Sequence, residues 1–225
     1  MHWVIILDNL GGRGGVESVV RLVSEEIARS KDSVSVYLPG PSEDSDWERD
    51  LPEVVYYDPV LHAGRFMGLQ STWRRVLGLR RQMELRRPAD VVVAGHVPRT
   101  ALYARMAIGY GKTPIVSWLH NPPEAFHEPE HIQYADLHWA IAAGIAAKVQ
   151  AIVRGARRVV QVGNPIRLDV AEVAQPGDKE PARFLYVGRL ENAQKRVDVC
   201  IRGLALLDRP WTLDVYGDGP DAPGL

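Results

Sequence analysis

One alternation constrains this chain more than any other feature. Short runs of apolar, β-branched residues recur at "WVIIL" (3–7), "SVSVYL" (33–38), "EVVYY" (53–57), "DVVVAG" (90–95) and "PIVSWLH" (114–120), most of them bounded by Pro, Gly, Asp or Lys. Between them lie longer segments whose apolar residues return at helical spacing. Val16, Val19, Val20, Val23 and Ile27 mark the first, and further helices are expected over about 69–86, 98–109 and 143–153. Strands that are apolar at nearly every position need cover on both faces, and helices between them supply it. The pattern therefore predicts an α/β fold built on a parallel sheet, with "DLHWAIA" (136–142) and "RRVVQVGNPI" (157–166) extending it.

The pattern then breaks and restarts. "DVAEVAQPGDKEPA" (169–182) is polar, carries two prolines and reads as a linker. Beyond it come a strand "RFLYVG" (183–188), a helix from about Val197 to Leu207 and a strand "WTLDVYG" (211–217). A single β-α-β unit cannot cover both faces of a sheet. The expected domains are thus 1–168, a Rossmann-like domain; 169–182, a linker; and 183–225, the incomplete start of a second Rossmann-like domain.

Composition narrows the function classes. With 27 Lys and Arg against 28 Asp and Glu, the net charge is −1, which argues against a general nucleic-acid binder. A single cysteine, Cys200, allows no internal disulfide and suits a reducing compartment. No apolar run approaches the roughly 20 residues of a membrane span, and the first residues do not read as a signal peptide. A cytoplasmic location is expected.

Four features could carry chemistry. In "LGGRGGVE" (10–17), four glycines in five positions join the first strand to the first helix. Unpaired N–H groups and the positive end of a helix dipole make such a junction an anion site, although a tight turn alone would also account for it, and neither a dinucleotide nor a P-loop spacing is present. In "VGRLENAQKRVD" (187–198), Arg189 and Lys195 follow a parallel strand at its ligand-binding end, where two cations suit a diphosphate and where solvated surface charges are the plainer account. His120 ends a buried strand in "SWLHNPPEAFH" beside Asn121, placed to hydrogen-bond a substrate or to be a satisfied half-buried imidazole. His127 and His131, with Glu124, Glu128 and Glu130, do not have zinc-motif spacing, so no metal is expected. Finally, "GNPIRLD" (163–169) redirects the chain just before the linker, with Asn164 at the turn.

In this order the segments "GGRGGVE", "SWLHN", "AIAAGIAAKVQ", "VVQVGNPI", "FLYVGRLENAQKRVDVCIRGLALL" and "LDVYGDGP" resemble the retaining glycosyltransferases of family 4 over nearly the whole chain. "HIQYADLHWAIAAGI" and the "GRL…QKRV" segment look most like members that add a 1,6-linked galactose to lipopolysaccharide core. The resemblance implies a GT-B architecture of two Rossmann-like domains. It also implies a metal-independent transfer, with retention, from a nucleotide-diphosphate sugar such as a UDP-sugar to a glycan or glycolipid acceptor. Arg189 and Lys195, with Gly14 and Gly15, would then bind the donor diphosphate, His120 would be the cleft histidine, and Glu17, Asn121 and Asn164 would lie toward the acceptor. Two departures stand out: Ala142 and Ala143 replace serines common in the family, and the family's paired-glutamate segment has no counterpart up to Leu225, so the chain as written is expected to be inactive. A sugar-nucleotide epimerase of the same architecture, or a catalytically silent sugar-nucleotide or glycan-binding fragment, are the alternative readings.

One further stretch, residues 65–87, carries Arg65, Arg74, Arg75, Arg80, Arg81, Arg86 and Arg87 against Glu84, with Phe66, Leu69, Trp73, Val76, Leu77 and Met83 gathering on one side of a helix. It is expected to cover the sheet with its apolar side and to turn its arginines outward, toward an anionic membrane surface or a phosphorylated glycolipid on the inner face of the cytoplasmic membrane.

Overall fold

Each β-branched run forms a strand. In the computed structural model, which describes residues 1–58, 71–167 and 181–225, β1 (His2–Ile6), β2 (Ser33–Leu38), β3 (Val54–Tyr56), β4 (Val91–Gly95), β5 (Ile115–Leu119), β6 (Leu137–Ala140) and β7 (Arg158–Gln161) make one sheet. All six of its pairings are parallel, and the strand order is β3-β2-β1-β4-β5-β6-β7. The helices are α1 (Gly15–Arg29), α2 (Ser71–Glu84), α3 (Arg99–Ile108) and α4 (Ala143–Val153). The first two residues of the helix expected from 69, together with Arg65 and Phe66, lie outside the described residues, as does most of the expected linker.

Both faces of the sheet are covered, as the continuous apolar strands require. On one side Val4, Ile6, Val92 and Ala94 pack with Val76 and Leu79 of α2 and Ala101, Tyr103 and Ala104 of α3. On the other, Ile5, Leu7, Val34, Val36 and Val93 pack with Val19 and Val20 of α1 and with Trp47. Burying each such aliphatic side chain stabilises the fold by roughly 1.5–3 kcal/mol. Because β4 lies beside β1 while β2 and β3 lie on its other side, the chain reverses direction across the sheet between β1 and β4. Open α/β sheets bind ligands outside the strand ends at such a point.

The chain divides into two units, Met1–Leu168 and Asp169–Leu225. The second unit pairs β8 (Ala182–Val187) with β9 (Trp211–Tyr216) in parallel, Ala182 opposite Trp211, and carries the short helices α5 (Asn192–Lys195) and α6 (Val197–Leu204). The helix expected over 197–207 is shorter, ending at Leu204, and is preceded by the separate turn of α5; the two are divided at Arg196, whose φ of 53° no α-helix accommodates. Leu190 and Val197 are buried in this unit, while Leu185, Val187 and Tyr216 remain exposed.

Candidate functional site

The register sets three loops on one edge of the sheet. Ile6 lies beside Ala94, Ala94 beside Ser117 and Gly95 beside Trp118, so the segments leaving β1, β4 and β5 emerge together. Gly95 permits this closeness, because a Cβ there would stand 2.6 Å from Leu7 Cδ2.

His96 leaves β4 with φ of 53°, in a three-residue turn closed by Val97 N–H donating to Gly95 O at 2.8 Å. For a residue with a side chain this backbone costs about 1 kcal/mol or more, and such strain collects at functional sites. The residue is 8% exposed. Burial lowers its pKa, opposed by the carboxylates of Asp8 and Glu17. His120 leaves β5 half-buried, its ring 4.7 Å from that of Trp118. Burial, and then the neighbouring His96, push its pKa down to about 4, so the ring is neutral at pH 7. Its Nε2 is buried without a hydrogen-bond partner. An orphan of this kind at a ligand edge is a vacant hydrogen-bonding position. His96 escapes a reading of the sequence although its signal matches that of His120: an apolar strand ending directly in histidine, "VVVAGH" against "VSWLH".

The glycine loop separates into two kinds of position. Gly12 has φ of 95°, and a Cβ on it would meet Asp44 O at 1.8 Å; a Cβ on Gly14 would meet Glu17 Oε2 at 2.6 Å. Packing within the chain explains these two. Gly11 and Gly15 face open space, with nothing within 4 Å of an added Cβ, and neither has a positive φ. Their lack of a side chain answers no internal need. Glu17, in the first turn of α1 where a carboxylate also suits the helix dipole, is 4% exposed and accepts a hydrogen bond from Gly12 N–H on Oε1 at 2.7 Å.

Behind this edge runs a buried ionic network. Arg75 Nη1 donates to Asp8 Oδ1 at 2.5 Å, Arg74 donates to both oxygens of Asp58 at 2.7 and 3.0 Å, and Arg75 Nε reaches Asp58 Oδ2 at 3.4 Å. Tyr57 O–H donates to Leu7 O at 2.8 Å. The expectation that α2 turns its arginines outward is corrected for these two: Asp58 is fully buried and draws Arg74 and Arg75 inward, where removing one partner would strand a charge at a cost of about 3–5 kcal/mol. Trp73 and Leu77 are instead exposed.

Other expected residues are placed as follows. Asn121 and Asn164 are exposed, the latter beside Gly163 with φ of 69°. In the second unit Arg189, at the end of β8, is exposed with Glu191 Oε2 3.3 Å away, and Lys195 is exposed at the end of α5. Gly217 and Gly219 let the chain after β9 approach the backbone of Gly188 and Leu190, since a Cβ on either would fall within 2.2 Å of a carbonyl oxygen there.

The family model for glycosyltransferase family 4 matches residues 13–179. The lipopolysaccharide 1,6-galactosyltransferase of Salmonella typhimurium is 40% identical over 108 residues, covering 48% of this chain and 30% of that protein. The Escherichia coli K12 protein of the same description is 26% identical over 227 residues, covering 98% of this chain and 61% of its own length. Among solved structures, the apo form of the lipopolysaccharide outer core galactosyltransferase WaaB superposes with a TM-score of 0.80 at 27% identity, covering 100% of this chain and 63% of that one. The chain spans less than two thirds of the length of these relatives.

Proposed function

Since the chain belongs to glycosyltransferase family 4, we propose that it serves transfer of a hexose, galactose from UDP-galactose, to a sugar of lipopolysaccharide core, with retention and without a metal. The observation that carries this reading is the buried, unpartnered Nε2 of His120 on the sheet edge, with the strained His96 on the neighbouring strand end. Two neutral imidazoles can hydrogen-bond sugar hydroxyls there without adding charge. In the second unit Arg189 and Lys195 hold the diphosphate, and Gly14 and Gly15 belong to the loop that the substrates approach. Asn121 and Asn164 lie toward the acceptor.

The chemistry asks little covalent work of the protein. The bond between the anomeric carbon and the diphosphate oxygen breaks, and negative charge grows on the leaving group. Cations fixed beforehand stabilise that charge as it appears. The acceptor oxygen bonds to the anomeric carbon from the face just vacated, and its proton passes to a diphosphate oxygen.

The test is an incubation of the chain, alone and completed with the C-terminal portion of the E. coli relative, with UDP-galactose and deacylated core oligosaccharide. UDP release that depends on acceptor, with a product one hexose heavier in α linkage, is expected of the completed protein. An epimerised sugar nucleotide, or release that ignores the acceptor, would overturn the reading. Exposed Trp73 and Leu77 beside Arg80 and Arg81 also support contact of α2 with an anionic membrane from the cytoplasmic side; co-sedimentation with anionic but not neutral vesicles, lost in Trp73→Ala, would bear this out.

A further inference from the structure

Buried ion pairs are seldom worth more to stability than apolar residues of the same size. The network of Asp8, Asp58, Arg74 and Arg75 therefore asks for another reason, and its ties converge on one short segment, the end of β1. Tyr57 O–H fixes Leu7 O there. At Asp8, Arg75 Nη1 at 2.5 Å and the Asn9 N–H at 2.8 Å both donate to Oδ1, and Oδ2 has no donor among the described residues. Arg75 is itself held from behind by Asp58. One buried carboxylate is thus set in place with an oxygen to spare.

Its neighbour across the sheet edge is His96. The pairing of β1 with β4 sets Ile6 beside Ala94. The next step brings Leu7 against Gly95, where an added Cβ would meet Leu7 Cδ2 at 2.6 Å, and one step more brings Asp8 level with His96. The turn that carries the histidine is fixed as well, with Thr100 Oγ1 2.6 Å from Val97 O and 3.1 Å from Gly95 O. The ring's Nδ1 is buried without a hydrogen-bond partner, which is costly for a polar atom unless a compensating charge faces it. The other titratable groups about the ring are Glu17 of α1 and His120 after β5. Glu17 already gives Oε1 to Gly12 N–H, and His120 is neutral at pH 7. Burial lowers the pKa of His96, and Asp8 is the stronger of the two carboxylates that oppose it. A neutral imidazole beside a fixed carboxylate turns its N–H toward the charge, and its other nitrogen then carries the lone pair.

We infer that Asp8 is a positioning residue for His96: held by Arg75, its carboxylate draws the ring proton to Nδ1 and leaves Nε2 to accept a hydrogen bond from a sugar hydroxyl. That the hydroxyl is a sugar's rests on the transferase reading, while the tautomer stands on the geometry of the first unit. Histidine side chains in water favour the proton on Nε2, so the assignment runs against the ordinary preference.

The experiment is long-range nitrogen–proton NMR of the histidine rings of the whole chain at neutral pH, with His96 identified by its loss in His96→Gln. Asp8→Asn keeps an oxygen for Arg75 and for the Asn9 N–H, and Arg75 keeps Asp58, so the strand end stays tied while the charge is gone. The proton is expected on Nδ1 in the unaltered chain and on Nε2 in Asp8→Asn. Tyr57→Phe, which removes the hydrogen bond to Leu7 O and lowers Tm without touching a charge, should leave it on Nδ1. In the protein completed with the C-terminal portion of the E. coli relative, Asp8→Asn should cut kcat/KM for transfer about tenfold, the worth of one hydrogen bond, with UDP affinity within about twofold. A proton on Nε2 in the unaltered chain, a result that needs no variant to fold, would overturn the proposal. So would a proton that stays on Nδ1 in Asp8→Asn, or one that Tyr57→Phe moves equally. If the proton sits on Nε2 throughout in a completed protein that transfers a hexose, the role of Asp8 fails and the transferase reading survives. If it moves as expected in a completed protein that never transfers one, Asp8 keeps its role and the transferase reading fails.

Discussion

After β1 the chain enters a glycine loop, and the helix that follows has its start filled by the buried carboxylate of Glu17. After β8 it enters Gly188 and Arg189, and the short helix that follows ends in Lys195, with both cations exposed. These are the same place in two α/β units, the C-terminal end of the first strand, where open sheets bind ligands. One holds a buried carboxylate; the other sets two exposed cations, Arg189 with Glu191 3.3 Å away and Lys195 at the end of the short helix. The same topology can thus carry opposite charge at its ligand-binding end. The two units differ in histidine as well: all seven histidines precede residue 169.

That last difference predicts the largest effect. Burial holds the pKa of His120 and of His138 at about 4, and lowers those of His2 and His96. A histidine whose pKa is lower folded than unfolded leaves the unfolded chain binding more protons between about pH 4 and 6.5. Its stabilising effect is present above pH 6.5 and is lost as pH falls toward 4. At about 1.4 kcal/mol per pH unit, His138 alone, fully buried, is worth on the order of 3 kcal/mol across that window. Thermal melts followed by tryptophan fluorescence should show the first unit losing stability steeply from pH 6.5 to 4.5, and His138→Asn should flatten the slope. An unchanged Tm over that range would mean these rings are not kept neutral by burial.

Within the first loop, Gly12→Ala should destabilise by roughly 2–4 kcal/mol, because it combines a left-handed backbone with a carbonyl oxygen in the path of the new Cβ. Gly15→Ala, meeting open space, should leave Tm unchanged or slightly raised while weakening ligand binding. Equal melts for the two variants would erase the distinction between a glycine kept for packing and one kept bare for a substrate.

The cationic start comes next in size. Arg189→Ala and Lys195→Ala should each weaken UDP binding by about one to two orders of magnitude, from about 1.5–3 kcal/mol per charged contact, as measured by calorimetry. Glu17→Gln should leave UDP affinity as it was. If Glu17→Gln tightens UDP as much as the cation deletions loosen it, both starts share one anion and the contrast between them collapses. On the sheet edge of the first unit, His120→Ala should cut transfer about tenfold while donor affinity stays within about twofold, as for a group that touches the sugar and not the nucleotide. Equal losses in both, with a lower Tm, would make it a packing residue.

How much of the molecule is legible in its sequence follows from the range of each interaction. Strand and helix positions can be read because β-branched runs and helical spacing are local, and His120 can be read because it closes such a run. The buried tie from Arg75 to Asp8 spans 67 residues, and no local pattern announces that two arginines of a basic helix will turn toward a fully buried aspartate. Glu17 is legible as a carboxylate in a first turn, where helix dipoles favour one. That it reaches back to accept from Gly12 N–H is a matter of side-chain direction, which spacing does not carry. His96 is missed for a different reason, since its signal is present but followed by no second cue of the "HNPP" kind.

The smallest expected effect concerns a third helix start, on the first unit. Ala142 sits at the N-cap of α4 with an extended backbone, φ of −145° and ψ of 153°, and no side-chain cap. The geometry already suits a capping serine, whose oxygen would accept from a free N–H in the first turn. Ala142→Ser should therefore stabilise by about 1 kcal/mol, a rise of a few degrees in Tm. The control is Ala143→Ser, one residue inside the helix, which should gain nothing. If Ala142→Ser raises transfer in the completed protein while leaving Tm unchanged, the missing hydroxyl belongs to substrate and not to the helix. The serine that the resemblance places there would then mark a ligand contact that this chain has given up.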